Sequence, residues 1–369
     1  MDVLTRALSL ALTCVLVGSL SSCGPASFSP TNAAPPVAGD RPPLTEIEFL
    51  ENPRQWVGPS TALLSKATIN VIDSEPRQSL PATVVSQELG DNISVTITST
   101  QRVLALDMSG SLAATVWALG FGDTLVGRDI STTFPGVEEL PIVTGSGHAV
   151  SPESVLALRP DVIITDGTIG PLDVMLQLRD AGVPIVFVRE APGLQAPAAM
   201  ARSVSAVFGA PAAGEALAAT VTQDIAAVSA VIAASAPQAP ADKLRMVFLY
   251  LRGANGIYYL FGQESGSGDL ITALGGIDIA TEIGWEGLRP MTDEALIAAN
   301  PDLILVMSDG LSSVGSVEEL VQVKPAIGLT QAGKNARFVD MADSQVLSFG
   351  PRTPEIIDAL ARAIYAPDK

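Results

Sequence analysis

A single histidine, His148, stands in the run Thr144-Gly145-Ser146-Gly147-His148-Ala149-Val150. The flanking glycines place it on a loop, where an exposed imidazole without a task is an ordinary occupant. One imidazole with no free thiolate cannot complete a tetrahedral zinc site unless carboxylates supply most of the ligands. It can fill one axial position of a haem iron. A second candidate group is the pair Tyr250 and Arg252 in Phe248-Leu249-Tyr250-Leu251-Arg252-Gly253. Strand side chains alternate faces, so a strand here points both the same way near its C-terminal end. In open α/β sheets that end faces the ligand crevice. A phenol is mostly neutral at neutral pH. A ferric ion and an adjacent guanidinium both favour the phenolate, so Arg252 can steady the oxygen as a ligand. The hexapeptide alone fits a core aromatic beside a surface cation equally well.

These residues need elements to position them. The chain has 369 residues, enough for two domains with their own cores, and 47% of them are hydrophobic. Its net charge is −18, which excludes the basic face that nucleic acid requires. At the N-terminus, Arg6 precedes an apolar run, Ala7 to Leu20, too short to span a bilayer and read as the core of a signal peptide over residues 1–22. Leu20-Ser21-Ser22-Cys23-Gly24 resembles a bacterial lipobox, which implies lipidation of Cys23 and an anchored protein on the extracytoplasmic face of the cell membrane. Cys14 lies in the removed segment, so no disulfide is expected. Residues 23–44, rich in Pro, Ser and Ala, are expected to form a flexible tether. Residues 45–100 form an extension with a β-hairpin around Gly90-Asp91-Asn92; residues 45–80 carry no clear pattern.

Beyond residue 100 the chain repeats itself. Glu153, Pro160 and Asp161 recur as Glu294, Pro301 and Asp302, each 141 residues later, and each Pro-Asp is followed by an apolar run of strand length. Ala118-Leu119-Gly120 is echoed by Ala273-Leu274-Gly275. Apolar strands alternate with helices throughout, which indicates an α/β fold with mainly parallel sheets buried on both faces. Two similar lobes are expected, residues 101–193 and 237–369, with a cleft between them. An Ala-rich stretch over 194–236 reads as one long helical linker, weakly punctuated at Gly209–Pro211.

From Arg102 to about Ala366 the sequence resembles the haemin-binding lipoproteins of bacterial haem-uptake ABC transporters, within the class that also binds cobalamin and ferric siderophores. The resemblance rests on Leu106-Asp107, Leu125-Val126-Gly127-Arg128-Asp129, Gly145-Ser146-Gly147-His148 and Tyr250-Leu251-Arg252-Gly253. It extends through Gly284-Trp285-Glu286-Gly287-Leu288-Arg289-Pro290 and Leu347-Ser348-Phe349-Gly350-Pro351-Arg352-Thr353. It implies ferric haem b as the transported ligand, with His148 and Tyr250 on its iron and Arg252 hydrogen-bonded to the tyrosine. It also implies that Glu153 and Glu294 dock onto the ABC transporter permease subunits. A carrier of this kind is a monomer that receives haem directly or from haem-donor surface proteins upstream.

Further pocket candidates are Met307, whose thioether can pack on a porphyrin face at the crevice edge, and Arg289, Arg352 and Tyr258, which can reach propionates or the ring. The acidic residues also fit a plainer role, because a carboxylate in a helix's first turn is favoured by the helix dipole. The Gly262–Gly268 run precedes a helix but lacks the lysine of a phosphate loop, so no nucleotide site is read there. Two alternatives stand beside the haem carrier: a ferric-siderophore or cobalamin carrier on the same fold, and an anchored haem enzyme or electron-transfer protein. The enzyme reading is the weaker, since two axial protein ligands leave iron no open position. A hydrolase lacks the Gly-x-Ser-x-Gly elbow near His148.

Overall fold

The structure, a computed structural model, describes residues 34–88, 91–253 and 256–367. The expected signal peptide, Cys23 and the first part of the tether lie outside the described residues. The remainder of the expected tether is held against the carboxy-terminal lobe. Leu44 is buried, Arg362 donates to the Pro42 carbonyl at 3.0 Å, and the Ala38 N–H donates to the Leu64 carbonyl at 2.9 Å. Phe49 stacks on Tyr365 with ring centroids 5.0 Å apart. The hydrogen bonds of Ala38 and Pro42 fall in the stretch that composition alone assigns to a loose linker, and Phe49 lies just beyond it, in the extension.

The patternless stretch contains β1 (Ser60–Ala62), which joins the edge of the carboxy-terminal sheet. The chain then crosses to the other lobe, where the Ile72 N–H donates to Ala118 and the Ser79 N–H donates to Gly209. The expected hairpin follows as β2 (Ala82–Gln87) and β3 (Asn92–Ile97), antiparallel with Ala82 opposite Ile97. Its buried Ser86 hydroxyl accepts a hydrogen bond from the Phe187 N–H at 2.9 Å, which fastens the hairpin to the amino-terminal lobe.

That lobe has a parallel sheet of β4 (Val103–Leu106), β5 (Val162–Thr165) and β6 (Ile185–Phe187), with every strand residue buried. Its helices include α1 (Ser111–Val116), α2 (Pro152–Leu158) and α3 (Leu172–Asp180). The connection between lobes is two helices, α4 (Ala196–Val207) and α5 (Pro211–Ser235). The break falls at the weak punctuation. Gly209 has φ +61°, where a Cβ would lie 2.0 Å from the Ser79 carbonyl oxygen, and Pro211 starts the next helix. By length and composition α5 could cross a membrane, but it buries Leu217, Ala218, Val221, Ile225 and Ile232 in the core shared with α4.

The carboxy-terminal lobe contains β7 (Arg245–Arg252), β8 (Ile257–Leu260), α6 (Ser267–Ala273), β9 (Ile277–Asp278), β10 (Arg289–Pro290), β11 (Leu303–Met307) and β12 (Phe338–Met341). The sheet order is β1-β12-β11-β7-β8-β10, with β9 beside β7; the β7–β8 and β8–β10 pairs are antiparallel and the others parallel. The helix Thr353–Tyr365 closes the lobe.

The repeated motif has a local cause. Ser151 and Thr292 cap their helices by accepting from the N–H three residues on, both at 3.2 Å. Arg159 and Asn300 end those helices with φ +46° and +42°. Asp161 then accepts from the Arg102 N–H at 3.0 Å, and Asp302 accepts from the Arg245 N–H at 2.9 Å. In each lobe the aspartate therefore ties the start of its own strand to the strand beside it.

Candidate functional site

Tyr250 owes its position to the pleat of β7. Leu249 and Leu251 pack into one core, while Phe248 packs into the other, and Tyr250 follows Phe248 on that second face at the C-terminal end of the strand. Its ring meets Phe261 edge-on at 6.1 Å. The Arg252 guanidinium lies over the ring, 4.5 Å from its centroid. Arg252 is fixed there by donating to the Leu251 carbonyl at 2.8 Å and to the Asp343 carboxylate at 3.1 Å. Burial pushes the Asp343 carboxyl up; the hydrogen bond it accepts from the Asp309 N–H and the Arg252 charge both oppose that rise. The guanidinium is thus engaged by Asp343 and a carbonyl, while the Tyr250 hydroxyl has no hydrogen bond from it.

Parallel register continues the site sideways. Leu305 and Val306 pair with Phe248 and Leu249, so Met307, half-buried, stands next in line beside Tyr250 on the same face. On the other side the antiparallel register places Tyr259 opposite Tyr250, and cross-strand partners share a face. Tyr259 was missed by sequence reasoning, and the hairpin spacing around Gly253 and Gly256 is the signal that finds it. Tyr258 is not brought to this face. It pairs with Leu251, packs against the opposite core, keeps a buried hydroxyl without a partner among the described residues, and has Lys324 over its ring at 5.5 Å. A shift of one residue along a strand moves a side chain to the other face.

The two outlying arginines are committed elsewhere. Arg289 is exposed and stacks over Trp285 at 5.1 Å. Arg352 pairs with Glu355 at 3.0 Å and donates to the Lys66 and Ala67 carbonyls, so it anchors the extension. Nearby, a small cavity at the junction of the lobes is lined by Ser109, Ser111, Ser131, Gln345 and Ser348. Ala34 and Pro35, from the stretch expected as tether, line it as well.

His148 comes from the amino-terminal lobe. The Gly145 N–H donates to the Ala149 carbonyl at 2.7 Å and closes a tight loop in which His148 itself has φ +60°. Val150 and Ser151 then pin the loop to Gly170 and Val143 at 2.8 and 2.9 Å, directly before α2. The imidazole is half-buried, and its Nδ1 has no hydrogen-bond partner among the described residues. Burial lowers its pKa, the positive charge of Arg252 lowers it further, and Asp107 opposes both. Arg252 belongs to the other lobe, so the two candidate groups share one electrostatic environment.

Three carboxylates stand at the strand ends behind His148. Asp107, after β4, accepts from the N–H groups of Ser109, Ser111 and Leu112 and from both serine hydroxyls. It thereby holds the start of α1. Asp129 accepts from the N–H groups of Asp107, Ser131 and Thr132. Burial and the neighbouring Asp107 charge push Asp129 up to about 7, and the same two causes push Asp166 up to about 6. Glu153 and Glu294 are exposed in the first turns of α2 and the helix Asp293–Ala299.

Two lobes with mainly parallel sheets and a long helix between them, with His148 carried by one lobe and Tyr250 by the other, have the architecture of a solute-binding protein. The chain belongs to the periplasmic binding protein family, whose pattern matches residues 108–344. It is similar to the uncharacterized ABC transporter substrate-binding lipoprotein YvrC of Bacillus subtilis (strain 168), 26% identical over 297 residues, covering 79% of this chain and 89% of the relative. Among solved structures it is similar to the heme binding protein HmuT, with a TM-score of 0.79, 34% identity, and coverage of 85% of this chain and 99% of the other. HmuT has also been solved with alanine in place of a histidine, of a tyrosine, and of an arginine two positions beyond that tyrosine. The periplasmic heme-binding protein RhuT of Roseiflexus sp. RS-1 follows, with a TM-score of 0.66, 34% identity, and coverage of 73% of this chain and all of the other (100%).

Proposed function

We propose that this protein captures haem outside the cytoplasm and delivers it to the permease of an ABC importer for haem and iron uptake. It is a carrier and performs no chemistry on the haem. The observation that carries the reading is the geometry around Tyr250: the Arg252 guanidinium, held by Asp343, lies on its ring at the end of β7, with Met307 and Tyr259 beside it, and the half-buried His148 is supplied by the other lobe. An imidazole and a phenol in that arrangement can grip a flat ferric porphyrin from both sides. Support comes also from the similarity to HmuT and RhuT, both described as heme-binding, and from the Tyr-x-Arg spacing shared with the substituted positions of HmuT.

In this reading burial and the Arg252 charge both disfavour the protonated imidazole of His148, which suits a nitrogen that must bind iron. Arg252, held by Asp343, packs on the Tyr250 ring and fixes its place, and a tyrosine oxygen bound to iron is a hard donor that favours ferric over ferrous iron. Met307 and Tyr259 flank the tyrosine and would contact the ring. Glu153 and Glu294 would dock onto permease cations; exposed ion pairs are individually weak, on the order of 1 kcal/mol or less, which suits a carrier that must let go. Cys23 would bear the lipid that keeps the carrier at the membrane.

The test is a haemin titration followed by absorbance, with purified wild type, His148→Ala and Tyr250→Ala. Each substitution is expected to weaken binding and to shift the iron-linked bands. If neither does, the ligand assignment fails and with it the choice of haem as cargo.

A further inference from the structure

The outer faces of two helices carry the same three residue types at the same places. On α2, Glu153, Leu156 and Ala157 are exposed; on the helix Asp293–Ala299, Glu294, Ile297 and Ala298 are exposed. Positions i, i+3 and i+4 lie on one side of a helix, so each triplet forms a continuous stripe. Leu156 is 43% exposed and Ile297 is 39% exposed, and the two stand 141 residues apart, the offset that relates the lobes.

Folding does not require these aliphatic side chains. The core contact of each helix is made one residue earlier, by Val155 and Leu296, which are 0% and 3% exposed. A lone exposed aliphatic residue is ordinary on a protein surface. Val323, among the most exposed of the described residues, has Gly182 at the matching offset. Leu156 and Ile297 differ because each lobe keeps the same acid, the same kind of large aliphatic group and the same small neighbour, in the same order.

We infer that each stripe is a docking unit in which the aliphatic side chain enters an apolar depression of the permease, beside the cation met by the glutamate. The alanine keeps the helix surface flat enough for close approach. The proposal rests on the docking reading of Glu153 and Glu294 and adds the groups that give that contact affinity and partner selection. Charge sets the occupant: two acidic stripes on a chain of net charge −18 call for basic surfaces. The duplication calls for a partner that offers one such surface twice. Burying the apolar groups supplies what exposed ion pairs do not, as interfaces place apolar side chains at the centre and charges at the rim.

The experiment measures binding of the haem-loaded full chain to the importer's transmembrane complex from the same organism, reconstituted in nanodiscs. The forms compared are wild type, Leu156→Ser, Ile297→Ser, the double serine variant, and the Glu153→Ala/Glu294→Ala double variant. The double serine variant is expected to lose about tenfold or more in affinity, with each single variant carrying a comparable part. Its haemin titration and melting temperature are expected to match wild type, because neither residue touches the core or the cleft. If the serine variant binds like wild type while the double alanine variant is weakened, the apolar stripe is overturned and the docking reading stands. If both bind like wild type, both fall.

Discussion

The two lobes repeat one α/β unit, with the same helix caps and the same strand-tying aspartate, yet they present their candidate ligands differently. In the carboxy-terminal lobe Tyr250 sits on the longest strand of a seven-stranded sheet, under an arginine held by Asp343. In the amino-terminal lobe the sheet has three strands, and His148 sits on a glycine-flanked loop in a left-handed conformation. A side chain on a packed strand is positioned by the whole sheet; one on a loop is positioned by a few backbone bonds and can move. On the proposed haem reading this difference divides the labour: the tyrosine side would define the haem position, and the histidine side would close over it and release it.

The extension sharpens the contrast because it is fastened to both lobes by different means. On the carboxy-terminal side, the buried Arg337 donates to the Ser60 hydroxyl at 3.0 Å and to the Ala363 and Ile364 carbonyls at 3.2 and 2.6 Å. Burial pushes this guanidinium down to about 10. Arg337→Ala is expected to give the largest effect, a loss of about 3 kcal/mol of stability by denaturant unfolding, since three acceptors and a cavity are left behind. A loss below about 1 kcal/mol would mean that the edge strand contributes little to the lobe.

Next comes the division of labour itself. Tyr250→Ala should weaken haemin binding about a hundredfold and His148→Ala about tenfold, by titration, the larger loss falling on the better-fixed ligand. Equal losses, or the reverse order, would break the comparison.

The carboxylates behind His148 supply a smaller effect with a defined pH window. Asp129 is raised from an ordinary 3.8 to about 7 in the folded chain. The folded state therefore holds a proton that the unfolded state releases. The stabilisation from this group is complete below about 3.8 and is lost as pH rises through about 7. Melting temperature measured against pH should fall across that window in wild type, and Asp129→Asn should flatten the slope. An unchanged slope would assign it to other groups.

The smallest effect is expected at the extension's other fastening. Arg179 reaches Glu88 of the hairpin at 2.7 Å, but the pair is exposed, so Arg179→Ala should change stability by about 0.5 kcal/mol or less in the same unfolding assay. A cost approaching that of Arg337→Ala would show that both lobes hold the extension equally.

Much of the architecture was legible before any coordinates. Apolar strand-length runs alternating with helices and the 141-residue repeat identified the lobes, because these signals can be read along the chain. The hairpin at residues 82–97 was legible for the same reason. Residues 45–80 were not: β1 pairs with a strand nearly 280 residues away, and a three-residue edge strand has no periodicity to read. The Gly209–Pro211 punctuation was visible, but its strength as a helix break depends on the Ser79 carbonyl lying against Gly209.

For the site, residue types and the pleat of one strand placed Tyr250 and Arg252 on a common side, and the glycines placed His148 on a loop. Only the tertiary structure decided that Arg252 turns to Asp343, that Tyr259 rather than Tyr258 stands beside Tyr250, and that Arg352 serves the extension. Periodicity is a property of the chain and can be read along it. Which groups share a cleft depends on register between distant strands and on hydrogen bonds across lobes, and those exist only once the sheets have assembled.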